Sequence, residues 1–208
     1  MEMQKSKIYK IVLGGVIIAL GTILSLIKVF ELPYGGSITL CSMLPLLIYS
    51  FKYGLKWGIS VSFVYGIIQI LLGSSAIRGF DLISSILIIL FDFILAFSAL
   101  GLGGLFRKVI KNTILAFTLG STVSIISRLI FHIISGIIFF GSYANWYFSQ
   151  EGMKIGEWIL ENLSGNTLIL IYSTIYNASY MLPELFITTF AGIILLKTIK
   201  KQILPEND

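Results

Sequence analysis

The chain has 208 residues, 56% of them hydrophobic and only 12% charged, with a mean hydropathy of +0.94. A soluble domain carries about 25% charged residues, so the composition excludes one and points to a compact membrane unit of several spans. The net charge of +5 sits in small clusters beside apolar runs, which is a topology signal and not a nucleic-acid surface, and a single cysteine (Cys41) and a single histidine leave no disulfide framework and no Cys-based metal site.

The first apolar run, 11–27, follows Lys7 and Lys10; no small-residue cleavage pattern ends it, so it is predicted to be a retained helix. The second, 38–51, is short and holds Pro45, so it needs neighbouring protein to satisfy its backbone. The third covers 57–77, the fourth 82–106 with Asp92 inside it, the fifth 113–140 with Arg128 and His132, and the last 168–196 with Glu184. The expectation is an all-α integral membrane protein of six transmembrane helices forming a single domain over 1–208. One set of loops and termini holds eleven Lys and Arg: Lys5, Lys7, Lys10, Lys52, Lys56, Arg107, Lys108, Lys111, Lys197, Lys200 and Lys201. The other holds three, Lys28, Arg78 and Lys154. Cytoplasmic loops are enriched in these residues, so both termini are predicted to be cytoplasmic. The long outer segment 141–167 mixes Trp146 and Trp158 with acids and is predicted to form a short interfacial helix.

Ionisable residues inside spans are costly and mark candidate sites. At 1.5 Å per residue, Asp92, His132 and Asn177 lie about 15, 12 and 14 Å below the outer ends of their helices, and so share one layer. Arg128 falls a turn deeper. On the fifth helix, Arg128, His132, Ser135, Gly136, Phe139, Phe140 and Tyr143 lie along one stripe; Ser173, Tyr176, Asn177, Tyr180 and Glu184 do so on the sixth. An acid, an imidazole, an amide and several rings suit a small, flat, cationic heteroaromatic ligand. Other readings stand beside this one: Asp92 and Arg128 as a structural ion pair, His132 as an interior histidine, the rings as packing. Glu184, just after Pro183, reads as structural, capping backbone that the proline frees. On the first helix Gly15 and Ala19 stand four apart, a spacing that lets another helix approach closely, either within the bundle or from a partner. The run Gly101, Gly103, Gly104 has the same two readings.

Several ordered motifs carry a family resemblance: Glu31-Leu-Pro-Tyr-Gly-Gly-Ser37 leading to Met43-Leu-Pro45; Phe91-Asp-Phe-Ile-Leu-Ala-Phe97 followed by Leu100-Gly-Leu-Gly-Gly-Leu-Phe106; Phe131-His-Ile-Ile-Ser-Gly136 followed by Phe140-Gly-Ser-Tyr143; and Tyr172-Ser-Thr-Ile-Tyr-Asn177 with Tyr180, Pro183 and Glu184. Across nearly its whole length the chain resembles the thiamine-specific substrate-binding (S) components of energy-coupling factor (ECF) transporters. The resemblance implies an outward-facing vitamin pocket closed by the loop between the first two helices. It also implies a partner complex in the plasma membrane: a transmembrane T component, met by the Gly15 and Ala19 face, and two ABC-type ATPases that use ATP. The chain itself is expected to carry no cofactor, no metal and no catalytic residue. Carried over by position, the family's acidic pocket residue falls on Asp92 and its aromatic neighbour on Phe93. The histidine falls on His132, a backbone contact on Gly136, the stacking ring on Phe140, and the last helix's tyrosine and asparagine on Tyr172 and Asn177. Phenylalanine stands at 93 where the family commonly has tyrosine, and at 140 where it has tryptophan, which keeps a related pyrimidine or thiazole vitamin precursor as the alternative ligand. The alternative of a different class is an intramembrane enzyme using Asp92 and His132 as acid and base.

Overall fold

A computed structural model describes residues 7–32, 35–151 and 153–199; Lys5, Pro33, Tyr34, Lys200 and Lys201 lie outside the described residues. Helix α1 (Lys7–Leu26) is followed by an antiparallel hairpin, β1 (Lys28–Glu31) with β2 (Ser37–Thr39). The pairs are Lys28 with Thr39, Phe30 with Ile38 and Glu31 with Ser37, with a bulge between Lys28 and Phe30. The predicted helix over 38–51 is corrected here. Ile38 and Thr39 belong to β2, Cys41 turns the chain in the left-handed region (φ 57°), and α2 runs only Leu44–Tyr53 with Pro45 in its first turn. Proline fits there because the first helical amides have no intrahelical acceptor. Eight of the ten residues of α2 are buried, and ten residues rise about 15 Å, half a bilayer core.

Helix α3 (Leu55–Leu72) leads through a short 3-10 turn, Ser74–Ile77, into a composite fourth span, Leu82–Gly104. That span begins as α4 (Leu82–Ile88), widens to a π-helical segment over Ile89–Leu95, returns as α5 (Ala96–Ser98), and ends as a 3-10 segment over Ala99–Gly104. Helix α6 (Thr113–Phe139) follows, then α7 (Ala144–Phe148) and α8 (Lys154–Asn162) in the long outer segment, and α9 (Gly165–Thr198) with Pro183 inside it. Among the described residues, five helices are long and apolar enough to cross a membrane: α1, α3, the fourth span, α6 and α9.

The glycines explain the packing. A Cβ on Gly101 would lie 2.4 Å from the Ile59 backbone, on Gly104 2.3 Å from the Ser50 carbonyl, and on Gly120 2.2 Å from the Gly103 carbonyl. The Ser50 hydroxyl donates to the Gly101 carbonyl and accepts from the Gly104 amide at 2.9 Å. The glycine run therefore packs within the bundle, where polar bridging replaces side-chain filling. Helix α1 differs: only Gly14 and Gly21 are buried on it, facing Val61 and Tyr65 of α3. Gly15 and Ala19 lie on its exposed side, and a Cβ on Gly15 meets nothing within 4 Å.

Candidate functional site

At the hairpin end of the bundle, α3, the π-helical segment, α6 and α9 enclose a cavity of about 590 Å³. Asp92, Phe93, His132, Gly136, Phe140, Tyr172 and Asn177 all line it. The π-helical segment carries Asp92 and Phe93; such widened turns recur at functional sites because they break the regular side-chain register.

The polar centre is a relay across two helices. His132 Nδ1 lies 2.8 Å from Asp92 Oδ1, and the Ser135 hydroxyl donates to Asp92 Oδ2 at 2.5 Å. Arg128 Nε donates to His132 Nε2 at 3.2 Å. An Nε2 that accepts leaves the ring proton on Nδ1, so the network assigns a neutral imidazole that donates to Asp92. The direct Asp92–Arg128 ion pair considered from sequence is not formed: His132 stands between the two charges. The Arg128 guanidinium lies 4.2 Å from the centre of the Phe97 ring, where the π face favours a cation.

Asn177 is 5% exposed and is held by its own helix: its Nδ2 donates to the Ser173 carbonyl at 2.8 Å, and its Oδ1 accepts from the Tyr180 hydroxyl at 2.8 Å. Gly136 marks a close crossing of α6 and α9, because a Cβ there would lie 2.1 Å from Ser173 Oγ. Above this layer the walls are aromatic. Phe140 makes edge contact with Phe80 at 5.4 Å, and Tyr172 joins Tyr147 at 5.4 Å and Tyr176 at 5.8 Å. Phe93 is buried against Gly73 and Phe97. Tyr172 and Asn177, five residues apart, both reach the cavity, Tyr172 nearer the start of α9.

The hairpin forms one side of the cavity. The Gly36 amide donates to Tyr176 Oη at 3.1 Å, and a Cβ on Gly36 would lie 2.8 Å from the Tyr180 ring. At the rim Lys28 pairs with Glu31 at 2.5 Å. Deeper, Glu184 is 3% exposed and accepts from both the amide and the hydroxyl of Thr39 at the end of β2, with the Thr188 hydroxyl at 3.4 Å. Its expected role is corrected: those donors lie on the hairpin segment and the next turn of α9, not on backbone freed by Pro183. Phe80 and Arg78 also line the cavity, from a loop with no periodicity to mark Phe80 and where Arg78 reads in the sequence only as an outer-side charge.

Residues 11–154 match the family model described as thiamine transporter protein (Thia_YuaJ). The chain is 28% identical to the thiamine transporter ThiT of Bacillus subtilis (strain 168), over 94% of each chain. Its fold matches a solved structure of ThiT from Listeria monocytogenes with a TM-score of 0.71 at 21% identity, covering 96% of this chain and 99% of that one. With the family model spanning 144 of the 208 residues (11 through 154), the chain belongs to the thiamine transporter family.

Proposed function

We infer that the chain is the substrate-capture subunit for thiamine uptake, a multi-pass membrane protein that takes the vitamin into the hairpin-covered cavity. Membership of a thiamine transporter family carries this reading. The same membership sets aside the intramembrane enzyme, because the relatives are named transporters. In this reading Asp92, Phe93, His132, Gly136, Phe140, Tyr172 and Asn177 form the binding surface. Rings stack on the two heterocycles, and the Asp92–His132 pair presents polar groups to them.

In this reading the energy for uptake is supplied by a partner, in keeping with a sequence that carries no nucleotide motif of its own. The proposed partners are a transmembrane T component, docked on the exposed Gly15 and Ala19 face of α1, and two ABC-type ATPases that spend the ATP. The proposed setting is the plasma membrane, with six helices and both termini in the cytoplasm, α2 serving as the short second helix. The Lys and Arg count supports this orientation. The Arg107 guanidinium, which donates to the Lys52 carbonyl in the last turn of α2, puts two of the counted basic segments at one end of the bundle. The test is a titration of the purified chain with thiamine, read by tryptophan fluorescence and melting temperature, with mass spectrometry of retained small molecules. Saturable binding with a raised melting temperature is expected. No response to thiamine, beside a clear response to a pyrimidine or thiazole precursor, would move the assignment to that precursor.

A further inference from the structure

Six charged residues line the cavity: Lys28, Glu31, Arg78, Asp92, Arg128 and Glu184. Lys28 and Glu31 cancel each other at the rim, and Arg78 is exposed to water, where its charge is screened. Three remain inside. Asp92 and Arg128 are bridged by one neutral imidazole, so their charges compensate across His132. Glu184 is different. Its hydrogen-bond donors, Thr39 and Thr188, are neutral, and no Lys, Arg or His among the described residues forms a salt bridge with it. Hydrogen bonding alone does not explain a carboxylate there, since a glutamine Oε1 accepts from the same Thr39 amide and hydroxyl at a much smaller desolvation cost. A carboxyl group kept at that depth with neutral partners alone calls for something that uses it.

We propose that Glu184 is a specificity-determining residue that gives the covered cavity its net charge of minus one and so sets its preference for monocationic over neutral heteroaromatic ligands. The inference rests on the thiamine-site reading above and adds to it a second carboxylate, one that acts through its field. Inside a cavity walled by apolar helices, opposite charges attract across about 10 Å strongly enough to matter. The bound thiazolium brings the interior sum to zero.

The experiment compares the affinities of thiamine and 3-deazathiamine, in which a neutral thiophene replaces the thiazolium, for the wild-type chain, Glu184→Gln and Arg128→Met. Wild type is expected to prefer the cation. Glu184→Gln is expected to reduce that preference about tenfold, and Arg128→Met, which leaves two negative charges inside, is expected to increase it. Equal weakening of both ligands by Glu184→Gln would overturn the proposal and leave Glu184 as a tether for Thr39. Should Glu184→Gln not fold, the double variant Glu184→Met with Thr39→Val, which removes the carboxylate together with the hydroxyl that it accepts from, takes its place: a reduced preference supports the assignment and an unchanged one refutes it. Failure of the wild-type chain to bind either ligand would instead overturn the thiamine-site reading, and this inference with it.

Discussion

The crossing of α6 and α9 at Gly136 gives a prediction that can be worked through from geometry. In Gly136→Ala the new methyl would sit 2.1 Å from Ser173 Oγ and 3.3 Å from Asn177 Nδ2. Ser173 is held by its hydrogen bond to the Ile133 carbonyl at 2.8 Å, so it cannot turn away without losing that bond. Overpacking costs about 1–3 kcal/mol and the lost bond about 1 kcal/mol, so a destabilisation of about 2–4 kcal/mol is expected, with weaker thiamine binding because Asn177 is displaced. The double variant Gly136→Ala with Ser173→Ala removes the offending oxygen and leaves the residue-173 Cβ at 3.1 Å and Asn177 Nδ2 at 3.3 Å. It is expected to recover at least about 1 kcal/mol relative to the sum of the single changes. Thermal melting of the purified protein in detergent, with thiamine titrations, measures all four proteins. A Gly136→Ala protein as stable as wild type, or strict additivity in the double variant, would refute the claim that this glycine is set by the helix crossing.

Asp92→Asn keeps both hydrogen bonds, because a carboxamide accepts from His132 and donates to Ser135, but it leaves Arg128 without its counter-charge. A loss of about 2–3 kcal/mol in apo stability is expected, largely restored by adding Arg128→Met, and unchanged melting would count against the relay. Gly15→Leu or Ala19→Leu is expected to leave thiamine binding and melting of the isolated chain intact while abolishing uptake with the proposed partner complex. Gly14→Leu, which meets Val61 at 2.8 Å, is expected to destabilise the chain itself. Asp81 caps α4, and hydrogen bonds led by the Ser84 hydroxyl hold its carboxyl below the usual 3.8. A lowered folded value means that this stabilisation is complete above the unfolded value and is lost as pH falls through the folded one. Asp81→Asn is therefore expected to flatten the acid side of the melting profile, with the loss of stability seen near neutral pH and none once the pH is below the folded value.

The long helices and the polar layer were legible because periodicity reports helices and because charge inside apolar runs is rare. That is how Asp92, His132 and Asn177 could be placed at one depth from a rise per residue alone. The hairpin was not legible. Ser37–Thr39 is apolar enough to extend the next helix on paper, and only pairing with Lys28–Glu31, distant in pattern though close in sequence, makes it a strand. Charge compensation was invisible for a different reason: Arg128 and His132 are a turn apart on one helix, so either could be assigned to Asp92, and hydrogen-bond direction decides. The role of Glu184 depends on Thr39, 145 residues away, which no local signal joins to it.

The hairpin rests on Tyr176 and Tyr180, the same rings that wall the cavity. A ligand leaving toward the hairpin must break a contact between the chain and itself as well as its own contacts, so residence time and hairpin opening share one barrier. A substitution that tightens the seat of Gly36 would slow entry and exit together and shift the equilibrium far less than either rate. Evolution can thus tune how long a captured molecule is held without redesigning the surface that recognises it.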